Sequence, residues 1–522
     1  MLLNITGASF LAFLVAAVAV YYILPRRARW LALLAASAVF YLSYSATAAM
    51  YLAATVTATY LFSLPLGALA SVKSVADTKE ERARLKRRNL RARRAILAAA
   101  LLINFSTLAV FKYSGFIASC VNNIIGTGIT PPSLLLPLGI SFYIFQSSGY
   151  LIDVYRGKYP PQRNIAKYAL FIAYFPQMVQ GPINRYDAMS ESLFGGNGFD
   201  ADNIRHGIQR MIFGILKKAL IADALAPAVA AVYSNYSAYP GVVVFLAAAL
   251  YCVQLYCDFS GGIDLLCGAS ELFGVKMAEN FRRPYLSTSL DEFWRRWHIS
   301  LGEWMKDYLF YPLTLSKCFG RLAKRARRRL PSDIAKRITP CIATVAVFLA
   351  VGIWQGPGWA NIAYGLWNGF WMSLGFMWIP MRSRLEQHVP LLKNRPLMAV
   401  IGVIRTDILI IFGRYFSNSP SLRGALGMLK RTFTAPGLRS VSVELFRGLG
   451  LTPRIALQVA AACAVLLVIS LAGERGHDPV KWLNTRRAPI QFAVLFVSLA
   501  LVVFCVYGNG DYTPIAYVYE NV

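Results

Sequence analysis

Apolar residues along this chain come in long unbroken runs, set apart by short polar or basic segments. The runs lie near 8–24, 29–46, 49–70, 95–113, 133–154, 167–182, 207–233, 240–273, 339–355, 358–380, 397–416, 453–472 and 489–508. About 20 consecutive apolar residues are enough for a helix to cross the hydrocarbon core of a bilayer. The pattern therefore predicts an all-α, polytopic membrane protein, with roughly a dozen membrane elements, the shorter or interrupted ones re-entrant or oblique. No stretch between runs is long enough for a soluble domain, so residues 1–522 are expected to form a single membrane domain. The first run ends at Pro25-Arg26-Arg27, with its charge after the apolar stretch and no small-residue cleavage site, and reads as a retained span rather than a signal peptide.

Charge then orients the runs. Arg26, Arg27 and Arg29 follow the first, a dense segment from Lys73 to Arg94 precedes the fourth, and Arg156 to Lys167 follows the fifth. Lys317 to Arg337 forms another basic block. Basic loops stay in the cytoplasm, so loops near 72–94 and 317–337 are expected there, with the N-terminus outside. The segment from Glu474 to Arg487 would send the C-terminus outside as well. Lys and Arg total 54 against 25 Asp and Glu, a net charge of +29, yet these cations sit at the ends of apolar runs, which points to membrane topology and not to nucleic acid. They also attract anionic lipid, and a second reading is attraction of a negatively charged donor or protein partner. Of the eight cysteines, Cys252, Cys257, Cys267, Cys341, Cys463 and Cys505 lie inside apolar stretches without paired zinc spacing. They read as small hydrophobes, and no metal site is expected.

One segment does not fit the membrane pattern. Ser289 to Tyr308 is charged and rich in tryptophan, and it carries His298, one of four histidines in the chain. Ser289 and Glu292 have capping-box spacing, so a helix is expected to begin at Leu290. Trp294, His298, Leu301 and Met305 recur at helical spacing, which places His298 on the apolar face of one continuous amphipathic helix, oblique or packed inside the protein. Glu303 and Asp307 are expected to pair with Arg296 and Lys306, and Asp307 is a candidate for orienting His298. A histidine on an apolar face is more often a packing residue than a catalyst, and spacing alone leaves both readings open. Trp294, Trp297, Trp304, Trp354, Trp359 and Trp367 fit a tunnel lining, an apolar core or an interfacial belt. Asp258 and Asp264, inside an apolar run, are expected to be paired or water-facing.

Several strings, in order along most of the chain, resemble the membrane-bound O-acyltransferase family, in particular its bacterial alginate O-acetylation and teichoic acid D-alanyl transfer branch. They are Pro137-Leu-Gly-Ile-Ser-Phe-Tyr143 with Phe145-Gln146, Asp153-Val-Tyr-Arg-Gly157, Phe175-Pro-Gln-Met-Val-Gln-Gly-Pro-Ile183, Gly214-Ile-Leu-Lys-Lys218 with Ile221-Ala-Asp223, Asp258-Phe-Ser-Gly261 with Asp264, Asn280-Phe-Arg-Arg-Pro-Tyr285, and Phe293-Trp-Arg-Arg-Trp-His-Ile-Ser-Leu301 with Asp307-Tyr-Leu-Phe-Tyr-Pro312. The resemblance implies a ring of transmembrane helices around a central tunnel. Through it, an acyl group, acetyl in the first instance, would pass from a cytoplasmic thioester, acetyl-CoA or an acyl carrier protein, to a hydroxyl of an exported glycopolymer. It also implies the cytoplasmic, inner membrane of a bacterium, no bound cofactor, and an acyl carrier protein or accessory acyltransferase subunit as partner beside the lipid bilayer.

The same resemblance implies two site histidines, and this chain departs at the second. His298 matches the first. Gly352-Ile-Trp-Gln-Gly-Pro-Gly-Trp359 places Gln355 where the family carries the histidine most often called catalytic, and Tyr364-Gly-Leu-Trp-Asn-Gly369 places Asn368 where a further histidine is often found. Glutamine donates and accepts hydrogen bonds but takes no proton at neutral pH. In one reading His298 alone serves as base while Gln355 polarises the thioester carbonyl, with Trp294, Trp354, Asp307 and Asn368 as supporting or tunnel residues. In another the chain is a degenerate scaffold without transferase activity. D-alanyl transfer to teichoic acid is the alternative chemistry. A transporter would be expected to show internal repeats, and none is evident.

Overall fold

A computed structural model describes residues 5, 7–71, 78–132, 134–477, 479–506 and 515–518. Regular secondary structure among them is helical throughout, and the one β feature is an isolated antiparallel bridge between Phe281 and Trp297. Among the described residues, six helices are long and apolar enough to cross a membrane: Ala46–Ser71, Lys79–Ile125, Gly241–Glu271, Ser332–Gln355, Arg395–Asn418 and Pro453–Glu474. Ala8–Ile23 and Ala488–Phe504 are shorter apolar helices. The expected all-α polytopic class is what the chain adopts, although some apolar runs are not uninterrupted spans. The run 167–182 breaks into Ile165–Ala173 and Phe175–Met178, and the run 207–233 is interrupted by a wide helical turn at Lys218–Ala222.

Two segments expected as basic loops are helices. Residues 79–94 are the first turns of Lys79–Ile125, a 47-residue helix capped by the Thr78 hydroxyl, which accepts from Glu81 N; residues 72–77 lie outside the described residues. Lys317–Arg329 is likewise a helix, capped by Ser316, and the next helix begins at Ser332. Lys, Arg, Ala and Leu are all good helix formers, so a charged composition does not by itself make a loop. The Cys505 side chain and residues 507–508 of the last run also lie outside the described residues.

The chain divides into two compact units. The first comprises Met1–Met211 and Leu265–Ala278, the second Ile212–Asp264 and Glu279–Val518. In the first, Ile140–Arg156 is buried along nearly its whole length and starts at Gly139, whose φ of +68° and contact with the Met178 carbonyl oxygen leave no room for a side chain. A buried amide network ties this helix down: Gln146 Nε2 and Asn184 Nδ2 both donate to Gln177 Oε1, at 3.2 and 3.0 Å.

The second unit holds the charged core. A Cβ on Gly261 would lie 2.7 Å from the Gly214 carbonyl oxygen, so the two backbones touch there. That close approach brings two adjacent lysines to the two aspartates of Gly241–Glu271, with Asp223 of their own segment as a third partner. Lys217 Nζ pairs with Asp264 at 2.5 Å, and Lys218 Nζ bridges Asp258 at 2.6 Å and Asp223 at 2.8 Å. Asp258 Oδ2 also accepts from Val518 N at 2.9 Å, and the Tyr517 ring lies 4.5 Å from the Lys218 ammonium. The expected pairing of Asp258 and Asp264 is thus met.

Candidate active site

His298 does not lie within a helix. The Ser289 hydroxyl caps the helix Leu290–Arg296 as expected by accepting from Glu292 N, while Glu292 reaches back to Thr288 rather than to Ser289. The helix then stops. Trp297 is extended and His298 is left-handed, φ 46° and ψ 54°, before a second helix, Ile299–Met305, begins. Left-handed backbone costs an L residue about 1–2 kcal/mol, although histidine enters it more readily than most.

Asn280 imposes the break. Its carbonyl accepts from Ile299 N at 3.0 Å, and its side-chain Oδ1 takes Ser300 N at 3.1 Å and Ser300 Oγ at 2.6 Å. Arg282 N donates to Arg296 O at 2.9 Å, closing the same seam from the other end. These bonds replace the intrahelical ones that an unbroken helix would have made. The expected Arg296 pairing is also different: its guanidinium binds Glu292 at 2.6 Å and Glu474 at 2.8 Å, and Arg295 pairs with Asp291.

The break aims the imidazole into the interior of the second unit, where His298 is 2% exposed. Its ring meets Phe259 edge-on at 4.9 Å between centroids and Trp354 at 5.8 Å. Burial pushes the imidazole pKa down from its ordinary 6.5 to about 3, so the ring is neutral at physiological pH.

Trp354 thus packs against His298, and Gln355 follows it as the last residue of Ser332–Gln355. The turn that carries them is fixed by close backbone packing. A Cβ on Gly352 would fall 2.4 Å from the Asn361 carbonyl oxygen and 3.0 Å from Gly365 Cα. Gly352→Ala should therefore push this hairpin apart and lower stability by about 1–3 kcal/mol, which thermal unfolding in detergent would read; an unchanged midpoint would show that the hairpin tolerates the methyl.

The remaining candidates are spread around this centre. Trp294 packs on Phe348 at 5.0 Å. Asp307 lies in the wide turn Lys306–Phe310 beyond the second helix. Asn368 gives its amide to the Tyr364 carbonyl within its own helix, at 2.8 Å.

A cavity of about 460 Å³ adjoins the site, and sequence reasoning did not identify it as a cavity. Lys217, Tyr256, Asp264, Phe281, Arg283 and His477 are among its lining residues. Phe281 packs on Trp297 at 5.0 Å and on Phe259 at 5.0 Å, so the cavity wall touches the residue before His298 and one of the two rings that meet the imidazole. Signals existed for parts of it: the paired acids in an apolar run, and the Asn280-Phe-Arg-Arg string.

Comparison with known proteins places these features in a family. The profile described as MBOAT, membrane-bound O-acyltransferase family, matches residues 41–327, a span that contains His298 and ends before Trp354. A probable alginate O-acetylase of Azotobacter vinelandii is 34% identical over 68% of this chain and 64% of its own length. The chain thus spans just under two thirds of that relative. A probable alginate O-acetylase of Pseudomonas aeruginosa is 32% identical over 79% of this chain and 71% of its own length. A peptidoglycan O-acetyltransferase of Helicobacter pylori is 28% identical over 67% of the chain and 66% of its own length.

Proposed function

The chain belongs to the membrane-bound O-acyltransferase family, and from that premise we propose that it moves an acyl group from a cytoplasmic thioester to a hydroxyl of an exported glycopolymer, with His298 as general base. Acetyl is favoured over D-alanyl because the relatives described above are named as acetyl-transferring proteins. The observation that carries the reading is the left-handed, buried and neutral His298 between two helices. Strain of that kind persists only where the surrounding bonds enforce it, and it concentrates at functional positions.

The chemistry follows from the groups present. Neutral imidazole takes the acceptor hydroxyl proton as oxygen attacks the thioester carbonyl. The resulting oxyanion needs a donor, and the Gln355 amide at the end of its helix is assigned that role. Collapse of the intermediate breaks the carbon–sulfur bond, and the imidazolium returns its proton to the departing thiolate. Phe259 and Trp354 keep water from the ring. No second histidine is required, because one imidazole both takes and returns the proton.

Orientation adds a direction. With the basic helix Lys317–Arg329 and the segment after Glu474 in the cytoplasm, the 460 Å³ cavity opens on the inner side and is the donor approach. The donor is a thioester of acetyl-CoA or of a carrier protein, the membrane is the bacterial cytoplasmic one, and both termini lie outside. With an imidazole pKa of about 3, the neutral base persists well below the ordinary histidine range. The rate of transfer, kcat/KM, should therefore stay level from about pH 8 down to about pH 5. An acidic limb centred near the ordinary value of 6.5 would contradict the buried, neutral base.

A further inference from the structure

Residues 280–283 and 296–299 lie side by side as a short antiparallel seam around the Phe281–Trp297 bridge, closed by Ile299 N donating to Asn280 O and Arg282 N to Arg296 O. Two residues of that seam, Arg283 and His298, are the only non-glycine residues with positive φ among the described residues, at 52° and 46°. Backbone of that kind holds only where the surroundings enforce it. Asn280 does so at the His298 end. At the other end the enforcing group comes from far along the chain: Glu474, the last residue of Pro453–Glu474. Its Oε1 pairs with Arg283 Nε at 3.0 Å and accepts from Arg296 Nη1 at 2.8 Å, and its Oε2 accepts from Arg296 Nη2 at 3.2 Å. Arg296 Nη1 also reaches the Arg283 carbonyl at 3.4 Å. The Arg283 guanidinium lies against Gly473, where a side chain would collide with it.

Glu292, the second acid on Arg296, belongs to the same helix as that arginine and steadies only its side chain. Glu474 is the member that crosses from one arm of the seam to the other. We propose that Glu474 is a positioning residue for acyl transfer: by holding Arg283 to Arg296 it keeps the seam closed and the His298 imidazole aimed at the proton it takes. This rests on the general-base reading above. A displacement of about 1 Å at a reacting group, caused by a change remote from it, costs on the order of a hundredfold in rate. The side chains of Arg296, Arg283 and Glu474 are 18%, 23% and 31% exposed, and ion pairs open to water add little to global stability. Loss of the clamp is therefore read in the rate before it is read in the melting midpoint.

The test uses the full chain in lipid nanodiscs, with an acetyl thioester and an acceptor oligosaccharide. Glu474→Gln should lower kcat about tenfold while KM for the thioester stays within about twofold and the thermal midpoint stays at the wild-type value; Glu474→Asp should recover part of the loss. In a His298→Asn background the same Glu474→Gln change should cost less than about twofold, because a residue that acts through the imidazole has nothing left to position. An equal loss in both backgrounds would overturn the proposal. So would a Glu474→Gln protein whose rate falls only as far as its folded fraction, the mark of a structural acid. Hydrogen exchange supplies a second arm. The amides of Ile299 and Ser300, held by Asn280, should exchange about tenfold faster in Glu474→Gln, and unchanged exchange would overturn the clamp. Exchange requires no transfer, so this arm decides the clamp even if the general-base reading fails, and the two can fail separately.

Discussion

Lys218→Met should destabilise the protein by about 3–5 kcal/mol, the cost of removing one partner from a buried ionic cluster. Lys218 is 1% exposed and holds two buried carboxylates, Asp223 at 2.8 Å and Asp258 at 2.6 Å. Without the ammonium, both acids must take up protons or stand against each other in an apolar interior. Removing one of the charges should relieve part of the penalty, so Lys218→Met combined with Asp258→Asn is expected to recover some of the loss. Thermal unfolding of the purified protein in detergent reads both. A midpoint equal to wild type for Lys218→Met alone would show that the cluster is hydrated rather than buried.

His298→Asn should abolish most transfer while leaving the fold intact. Asparagine adopts left-handed backbone at least as readily as histidine, so the break between Leu290–Arg296 and Ile299–Met305 survives the change. What is lost is the basic nitrogen. General-base catalysis contributes roughly 10²–10⁴-fold, and the rate of acyl transfer to a hydroxyl acceptor should fall within that range. Alanine at the same position would confuse loss of the base with backbone strain. Asparagine with a wild-type melting midpoint and a rate within twofold of wild type would remove His298 from the chemistry.

The spans were legible because apolar runs of about 20 residues report membrane helices whatever they pack against. The cap at Ser289 was legible for a similar reason, since it depends on residues three apart. The break at His298 was not. Trp294, His298, Leu301 and Met305 keep helical spacing through it, and the bonds that interrupt the helix come from Asn280, well upstream and invisible to local periodicity. The basic helices were misread as loops because charge reports topology without reporting backbone conformation. Asp258 and Asp264 announced themselves as charges in an apolar run, but their partners, Lys217 and Lys218, are identified only by the contact between Gly214 and Gly261. Glu474 read only as the start of a mixed loop, because its partners, Arg283 and Arg296, lie far back along the chain.

The claim that the imidazole of His298 is the proton acceptor is tested most directly by chemical rescue of His298→Gly. Glycine accepts the φ of 46° without strain and leaves a ring-sized space beside Phe259 and Trp354. Transfer from an acetyl thioester to an acceptor oligosaccharide should fall at least about a hundredfold and return, saturably, when free imidazole is added. Transfer by His298→Gly at the wild-type rate without imidazole would contradict the account.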